Sequence, residues 1–291
     1  MMIFFKITLR AIIRKTCLFA SCFFPSVPLR KKIREAGDSC VIKLFRKQIE
    51  AFVSDYPKVY SEEQSLERLI SSRKSIARFG DGEFKLIIGE RHKSFQDVDE
   101  ALNRRMLEVL RSSDPNVIVA IHPVRDFDSL GRIWQKFIIR IGVDVLALLD
   151  KDRAYDSTGL FHRLPTDDKT EFIDRVRLIK RLWSGRKVVI VVGEGSRFHF
   201  EDELFDNVES VDYVYGPSKN AFSEYERIMD EIRCFDKSSY LFLLVLGPTA
   251  TVMAHELGCE GYQAIDFGQM PGKYIKARNY LFGAETALPL K

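Results

Sequence analysis

Short, nearly unbroken apolar runs recur along the second half of the chain, and two of them empty into glycine turns. Lys187-Val188-Val189-Ile190-Val191-Val192 leads into Gly193-Glu194-Gly195-Ser196-Arg197, and Tyr240 to Leu246 leads into Gly247-Pro248-Thr249-Ala250-Thr251. β-Branched runs of this length predict strands buried on both faces. Ser75–Phe79, Asn116–Ile121, Val211–Tyr215 and Tyr262–Asp266 predict further strands. Between them lie stretches with apolar residues three and four apart, at Ala101–Arg111, Trp134–Ile141, Phe172–Trp183, Phe222–Ile232 and Val252–Leu257, which predict helices. Val143–Leu149 reads equally as a strand or as the end of the preceding helix. Asp150–Asp168 is polar and reads as a loop of the size used for binding loops or lids; it contains Tyr155, Asp156, Ser157, His162 and Arg163. Strand–helix alternation of this kind defines an α/β fold with a mostly parallel sheet and helices on both faces.

The first part of the chain has a different pattern. Met1 to Pro28 mixes apolar residues with Lys6, Arg10, Arg14 and Lys15, and its run from Thr16 to Phe24 falls well short of the roughly 20 residues that span a bilayer. A signal peptide fits poorly, because the basic region before the run is long and itself apolar and the run ends in Phe-Phe-Pro. Two readings remain: a basic amphipathic anchor lying on an anionic membrane surface, or a helix packed on protein. Leu29 to Val53 reads as one or two helices interrupted near Gly37-Asp38, and Tyr56-Pro57 marks a break. Ser61 then reads as an N-cap with Gln64 as its capping-box partner, and Leu66, Leu69 and Ile70 as the buried face of that helix. This organisation predicts a basic, apolar helical extension over residues 1–58 and a globular domain over 59–291.

Composition narrows the function classes. With 291 residues, 46% of them apolar, and a net charge of +4, the chain can bury a large core and has no overall nucleic-acid signature. Its basic excess is local, between Lys6 and Lys47, where anionic lipid or a polyanion is the expected partner. The five cysteines, Cys17, Cys22, Cys40, Cys234 and Cys259, form no Cys-x-x-Cys pair. Zinc and a disulfide framework are therefore not expected, and a reduced, cytoplasmic setting is.

The candidate chemistry centres on Arg78-Phe79-Gly80-Asp81-Gly82-Glu83. On a strand, alternation would place Asp81 and Glu83 on one face; on a glycine-flanked turn both could converge on one point. Paired carboxylates are hard oxygen ligands suited to Mg²⁺ or Mn²⁺, with phosphates completing the shell. Arg78 could balance their charge or grip a phosphate. An ordinary acidic turn is the alternative. The glycine turns at Gly193, Gly195 and Gly247 let backbone approach a phosphate, with a helix start and the hydroxyls of Thr249 and Thr251 beside the last of them. Neither is a Walker loop or a Gly-x-Gly-x-x-Gly. Lys219, at another helix start, reads as an anion contact or a solvated lysine. His122 sits at the carboxyl end of its strand, where open α/β sheets place ligands, and reads as a base or as a structural histidine.

Taken together these stretches resemble the GT-D glycosyltransferases. The matching pieces are Arg78–Glu83, Gly193–Arg197, Leu204-Phe205-Asp206-Asn207, Lys219-Asn220-Ala221-Phe222, Gly247-Pro248-Thr249-Ala250 and Gly261–Gly268, in the family's order from about Val59 onward. The resemblance implies a Rossmann-like fold, a nucleotide-sugar donor (usually a UDP-sugar), and a divalent metal, Mn²⁺ or Mg²⁺, held through Asp-x-Glu, here Asp81 and Glu83. Charge and position add Arg78, Gly80, Gly193, Gly195, Ser196, Arg197, Lys219, Gly247 and Thr249 as donor or phosphate contacts, and Asp266 as a third catalytic residue. The base for an acceptor hydroxyl is left among Glu83, Asp266 and His122. The expectation is a metal-dependent glycosyltransferase at the cytoplasmic face of a membrane, acting on a glycan, lipid-linked or protein acceptor. A non-catalytic nucleotide-binding regulatory module is the alternative. A phosphohydrolase or nucleotidyl enzyme would need His/Asp-rich metal clusters that the chain lacks.

Overall fold

Seven parallel strands form one sheet in the order β3-β2-β1-β7-β6-β4-β5. They are β1 (Ser75–Phe79), β2 (Val117–Ile121), β3 (Asp156–Ser157), β4 (Lys187–Gly193), β5 (Ser210–Gly216), β6 (Tyr240–Val245) and β7 (Gln263–Asp266). The computed structural model describes residues 2–90, with side chains from Leu9 onward, and residues 96–283, 288 and 290. The chain folds as two compact units, Met1–Tyr56 with Val124–Leu148, and Pro57–Pro123 with Leu149–Lys291.

The sheet unit is held by burial on both faces. Val188, Ile190 and Val192 of β4, with Leu241, Leu243 and Val245 of β6, pack into one core with Leu66 and Leu69 of α4 (Glu62–Ser72), Phe172, Val176 and Ile179 of α8 (Lys169–Lys180), and Tyr274 of α12 (Met270–Phe282). Alternate residues, among them Val189, Val191, Phe242 and Leu244, are also fully buried, as the two-residue period of a covered sheet requires. The opposite face carries α6 (Glu100–Arg111), α10 (Tyr225–Arg233) and α11 (Pro248–Cys259), while α5 (Asp81–Ile87) follows β1 and α9 (Asp202–Phe205) follows β4. Ser61 caps α4 as its sequence predicts: its hydroxyl accepts from Gln64 N–H at 3.1 Å, and the Gln64 side chain accepts from Ser61 N–H at 3.1 Å.

Part of the expected loop at Asp150–Asp168 is instead built into the sheet. β3 pairs with β2, and Thr158–Phe161 follows as a buried 3-10 turn. The polar residues that argued for a loop are satisfied internally. Asp156 accepts from Arg68 at 3.1 Å, and Ser157 N–H donates to the Ser65 hydroxyl at 2.8 Å. Likewise α10 starts at Tyr225, three residues later than the pattern suggests, after a 3-10 turn over Ala221–Glu224.

The N-terminal unit consists of α1 (Met2–Cys22), α2 (Val27–Leu44), α3 (Arg46–Asp55) and α7 (Arg132–Leu148). The expected interruption at Gly37-Asp38 is absent: α2 runs through it and breaks only at Phe45. Gly37 serves packing there, since a Cβ would lie 2.6 Å from Cys17 Sγ on α1. Val143–Leu148 is the end of α7, not a strand. Among the described residues no helix is long and apolar enough to cross a membrane.

Candidate functional site

All strands are parallel, so their carboxyl ends and the turns that follow share one edge of the sheet. The connection from β4 leads outward to β5, whereas that from β6 leads inward to β7. The crevice between neighbouring strands whose connections diverge is where open α/β sheets bind ligands. A cavity of about 240 Å³ lies there, and Gly193, Gly195, Ser196, Arg197, Lys219 and Gly247 all line it, with Ser218 and Gly268. Six of the nine residues expected to contact a donor are thus brought to one place. Gly193 is needed for the approach of two loops, because a Cβ would come within 2.6 Å of Ser218 Cα. Asn220, in the left-handed conformation at φ 53°, pins the Lys219 loop by exchanging two 2.8 Å hydrogen bonds with Asp97.

Thr249 lies in the first turn of α11, fully buried, and its hydroxyl has no hydrogen-bond partner among the described residues. A buried hydroxyl without a partner costs roughly 1–3 kcal/mol. Thr249 lies two residues beyond Gly247 of the cavity wall, at the N-terminus of α11.

The acidic pair sits at the end of β1, neighbour of β7, and does not line that cavity. Neither strand alternation nor a free turn describes it: Asp81 and Glu83 are the first and third residues of α5. Glu83 turns back to cap its own helix, accepting from Gly80 N–H at 2.9 Å, and Asp81 is paired with Lys85 one turn on. Each bond occupies one carboxylate oxygen, Oε2 of Glu83 and Oδ2 of Asp81. Burial, and then the nearby Asp266 charge, push the Glu83 carboxyl up to about 7, against the opposing pull of backbone N–H groups and Arg78.

Arg78 and Asp266 join the two places. Asp266 Oδ1 accepts from the Arg78 guanidinium at 2.8 Å, its Oδ2 accepts from Arg78 N–H at 3.3 Å, and the Thr251 hydroxyl lies 3.1 Å from that same Oδ2. Both charged side chains are almost fully buried. Gly268, at φ 61°, passes over the pair, and a Cβ there would lie 2.6 Å from the guanidinium. Asp266 is thereby engaged through both oxygens, and Arg78 lies at the floor of the site with its charge paired to Asp266.

Two histidines complete the β1–β2 side, and only one of them was singled out from the sequence. His162 Nε2 is 2.6 Å from the Arg78 guanidinium. A guanidinium only donates, so Nε2 accepts and the ring proton sits on Nδ1, a buried atom with no partner among the described residues. Burial, then Arg78 and Lys273, push His162 down to about 2, so it is neutral at any ordinary pH. His122 is pushed down to about 3 by burial and by Arg163, whose guanidinium is 3.4 Å from its Nε2, with Asp81 pulling the other way. His162 and Arg163 lie in the stretch that reads as a loop, and 84 residues separate His162 from Arg78, so no local pattern could pair them.

Residues 76–290 match the glycosyltransferase GT-D fold family, and the chain belongs to that family. Among its relatives is the probable glycosyl transferase Gly of Streptococcus gordonii, 32% identical over 225 residues, which cover 74% of this chain and 32% of that protein. The glycosyltransferase GlyD of Streptococcus pneumoniae serotype 4 is 28% identical over 239 residues, 80% of this chain and 29% of that protein. The chain therefore spans about a third of the length of these curated relatives. A solved domain described as having a distinct glycosyltransferase fold superposes with a TM-score of 0.73 at 28% identity, covering 83% of this chain and 88% of that one.

Proposed function

We propose that this chain transfers a sugar from a nucleotide-sugar donor, a UDP-sugar, to a hydroxyl of a glycan, lipid-linked or protein acceptor, with a divalent metal. The observation that carries this reading is the single edge that gathers a glycine-walled cavity, a buried unpartnered threonine hydroxyl and, beyond the Arg78–Asp266 clamp, two carboxylates. The cavity with Ser196, Arg197 and Lys219 would seat the diphosphate.

Asp81 and Glu83 fit Mn²⁺ or Mg²⁺: both are hard oxygen donors, and each keeps one oxygen outside its internal bond. No group of three or more ligating side chains occurs among the described residues, so diphosphate and water would complete the shell. The metal, when bound, neutralises the charge that gathers on the departing diphosphate. In the transfer the acceptor oxygen bonds to the anomeric carbon, the bond from that carbon to the diphosphate oxygen breaks, and the hydroxyl proton passes to a base. Glu83, Asp266 and His122 are the candidates for that task; Asp266 also accepts from Arg78, and His122 lies beside Arg163. The basic N-terminal unit suits a peripheral position at an anionic, cytoplasmic membrane face.

The test is a panel of nucleotide sugars with Mn²⁺ or Mg²⁺, reading released nucleoside diphosphate, repeated with EDTA. Metal-dependent release from one donor supports the reading and names the sugar. Saturable UDP binding with no release from any donor, whatever acceptor is supplied, would identify a binding module instead.

A further inference from the structure

The N-terminal unit contains a second cavity, of about 620 Å³, whose charged lining residues are nearly all basic. Arg10, Arg14 and Lys15 of α1, Arg34 of α2 and Arg140 of α7 line it, against a single carboxylate, Asp38. Asp38 is itself held by Lys136 at 2.8 Å. Arg10 and Arg140 are engaged with other groups as well; with Arg14, Lys15 and Arg34 they still leave the wall basic, a field suited to an anion, and the volume suits a headgroup better than a lone ion.

The same helices end in an apolar tip. Around the α1–α2 turn Phe19 is 66% exposed, Phe23 70% and Val27 73%, and the Phe19 and Phe23 rings meet edge-to-face at 4.9 Å. Arg34 reaches back toward this tip, donating to the Ser21 hydroxyl at 3.2 Å. Along α1 the helical rise places Leu18, at the cavity wall, about 7–8 Å from Phe23. An amphipathic element sinks its apolar side about 5–10 Å into the headgroup and acyl boundary. With the phenylalanines at that depth, the near wall of the cavity stands in the headgroup layer, and Lys15 and Arg14, about 12–14 Å from Phe23 along α1, stand at its aqueous side.

We propose that this cavity binds the phosphate headgroup of an anionic membrane lipid, with the Phe19–Val27 tip seated in the acyl boundary. The inference rests on the peripheral membrane position proposed above and gives it a specific site. A soluble phosphate compound shares the charge chemistry, but the exposed aromatic tip has a use only if the phosphate belongs to a lipid.

The test is co-sedimentation of the full chain with vesicles of phosphatidylcholine, alone or mixed with phosphatidylglycerol. Binding is expected only to the mixed vesicles. Arg14→Glu and Arg34→Glu should each lower the partition coefficient about tenfold or more, and Phe23→Ser should also weaken it. Lys47→Glu, on an exposed lysine of the same unit outside the cavity, should change it less than threefold. The milder Arg14→Gln guards against misfolding and should fall between Arg14→Glu and the unaltered chain. Equal losses from Lys47→Glu and Arg34→Glu would show diffuse attraction, overturning the cavity while the membrane position stands. No binding by the unaltered chain would overturn both. Saturable binding of inorganic phosphate that Arg34→Glu abolishes, without vesicle binding, would mark a free-anion site and overturn the lipid assignment. Donor turnover measured in vesicle-free solution is untouched by any of these outcomes, so failure here and failure of the transferase reading are distinguishable.

Discussion

Arg78 and Asp266, 188 residues apart in the chain, form a buried ion pair at 2.8 Å between neighbouring strands β1 and β7. It ties the strand that leads into the acidic motif to the strand whose turn lines the glycine-walled cavity.

Breaking this pair from one side should be costly. Asp266→Asn leaves the Arg78 guanidinium buried with only a neutral partner, and a loss of about 3–5 kcal/mol in unfolding free energy is expected. Urea denaturation checks it. Arg78→Met combined with Asp266→Leu should cost clearly less than the sum of the single changes, because no lone charge remains.

Thr249→Val should separate stability from binding. The hydroxyl is buried without a partner, and valine nearly matches its shape, so the variant should be about 1 kcal/mol more stable. Its UDP affinity should fall if that hydroxyl serves the donor. Thermal denaturation and calorimetric UDP titration read the two effects, and a variant less stable than the parent would refute the orphan-hydroxyl account.

Asp81→Asn should abolish metal-dependent donor turnover and leave the fold intact. Its side chain is 37% exposed and its partner Lys85 is a neighbour on the same short helix, so stability should change by less than about 1 kcal/mol. Nucleoside diphosphate release and a melting curve, measured side by side, decide it.

The pH dependence of stability has a worked sign. His162 binds a proton in the unfolded chain below about 6.5 but in the fold only near 2, so its contribution is complete above 6.5 and declines as pH falls. The slope is about 1.4 kcal/mol per pH unit within that window. His162→Gln, whose amide oxygen can still accept from Arg78, should flatten the profile between pH 6 and 4. Glu83 acts in the opposite sense in metal-free protein: its raised value favours the fold below about 4.5, and that contribution is lost as pH rises through about 7. Denaturation in EDTA across pH 4–8, on the parent and on Glu83→Gln, tests the second effect.

Local patterns carried much of this molecule into view. β-Branched runs marked β4 and β6, since a strand covered on both faces has to be apolar at nearly every position. Ser61 and Gln64 marked the start of α4, because a capping box spans only four residues and its partners cannot be elsewhere. Glycine turns after the strands marked the cavity walls for the same reason: parallel strands put every such turn on one edge.

Long-range relationships were beyond any window of sequence. Asp81 and Glu83 were legible as a motif, but not that Glu83 spends one oxygen on its own helix end, a choice made when β1 passes into α5. Polar residues at Asp156 and Ser157 suggested a loop, and only the packing of α4 beside them, with Arg68 and Ser65 in reach, made them strand. Arg78 read as a charge balance or a phosphate grip, and its closeness to Asp266, His162 and Gly268 was not visible in the sequence. The sequence by itself determined the buried strands β4 and β6 and the capped start of α4, because burial period and capping act over a few residues. The tertiary structure alone decided which charges are spent on one another and which remain for a ligand, because pairing depends on strand order and distance in space.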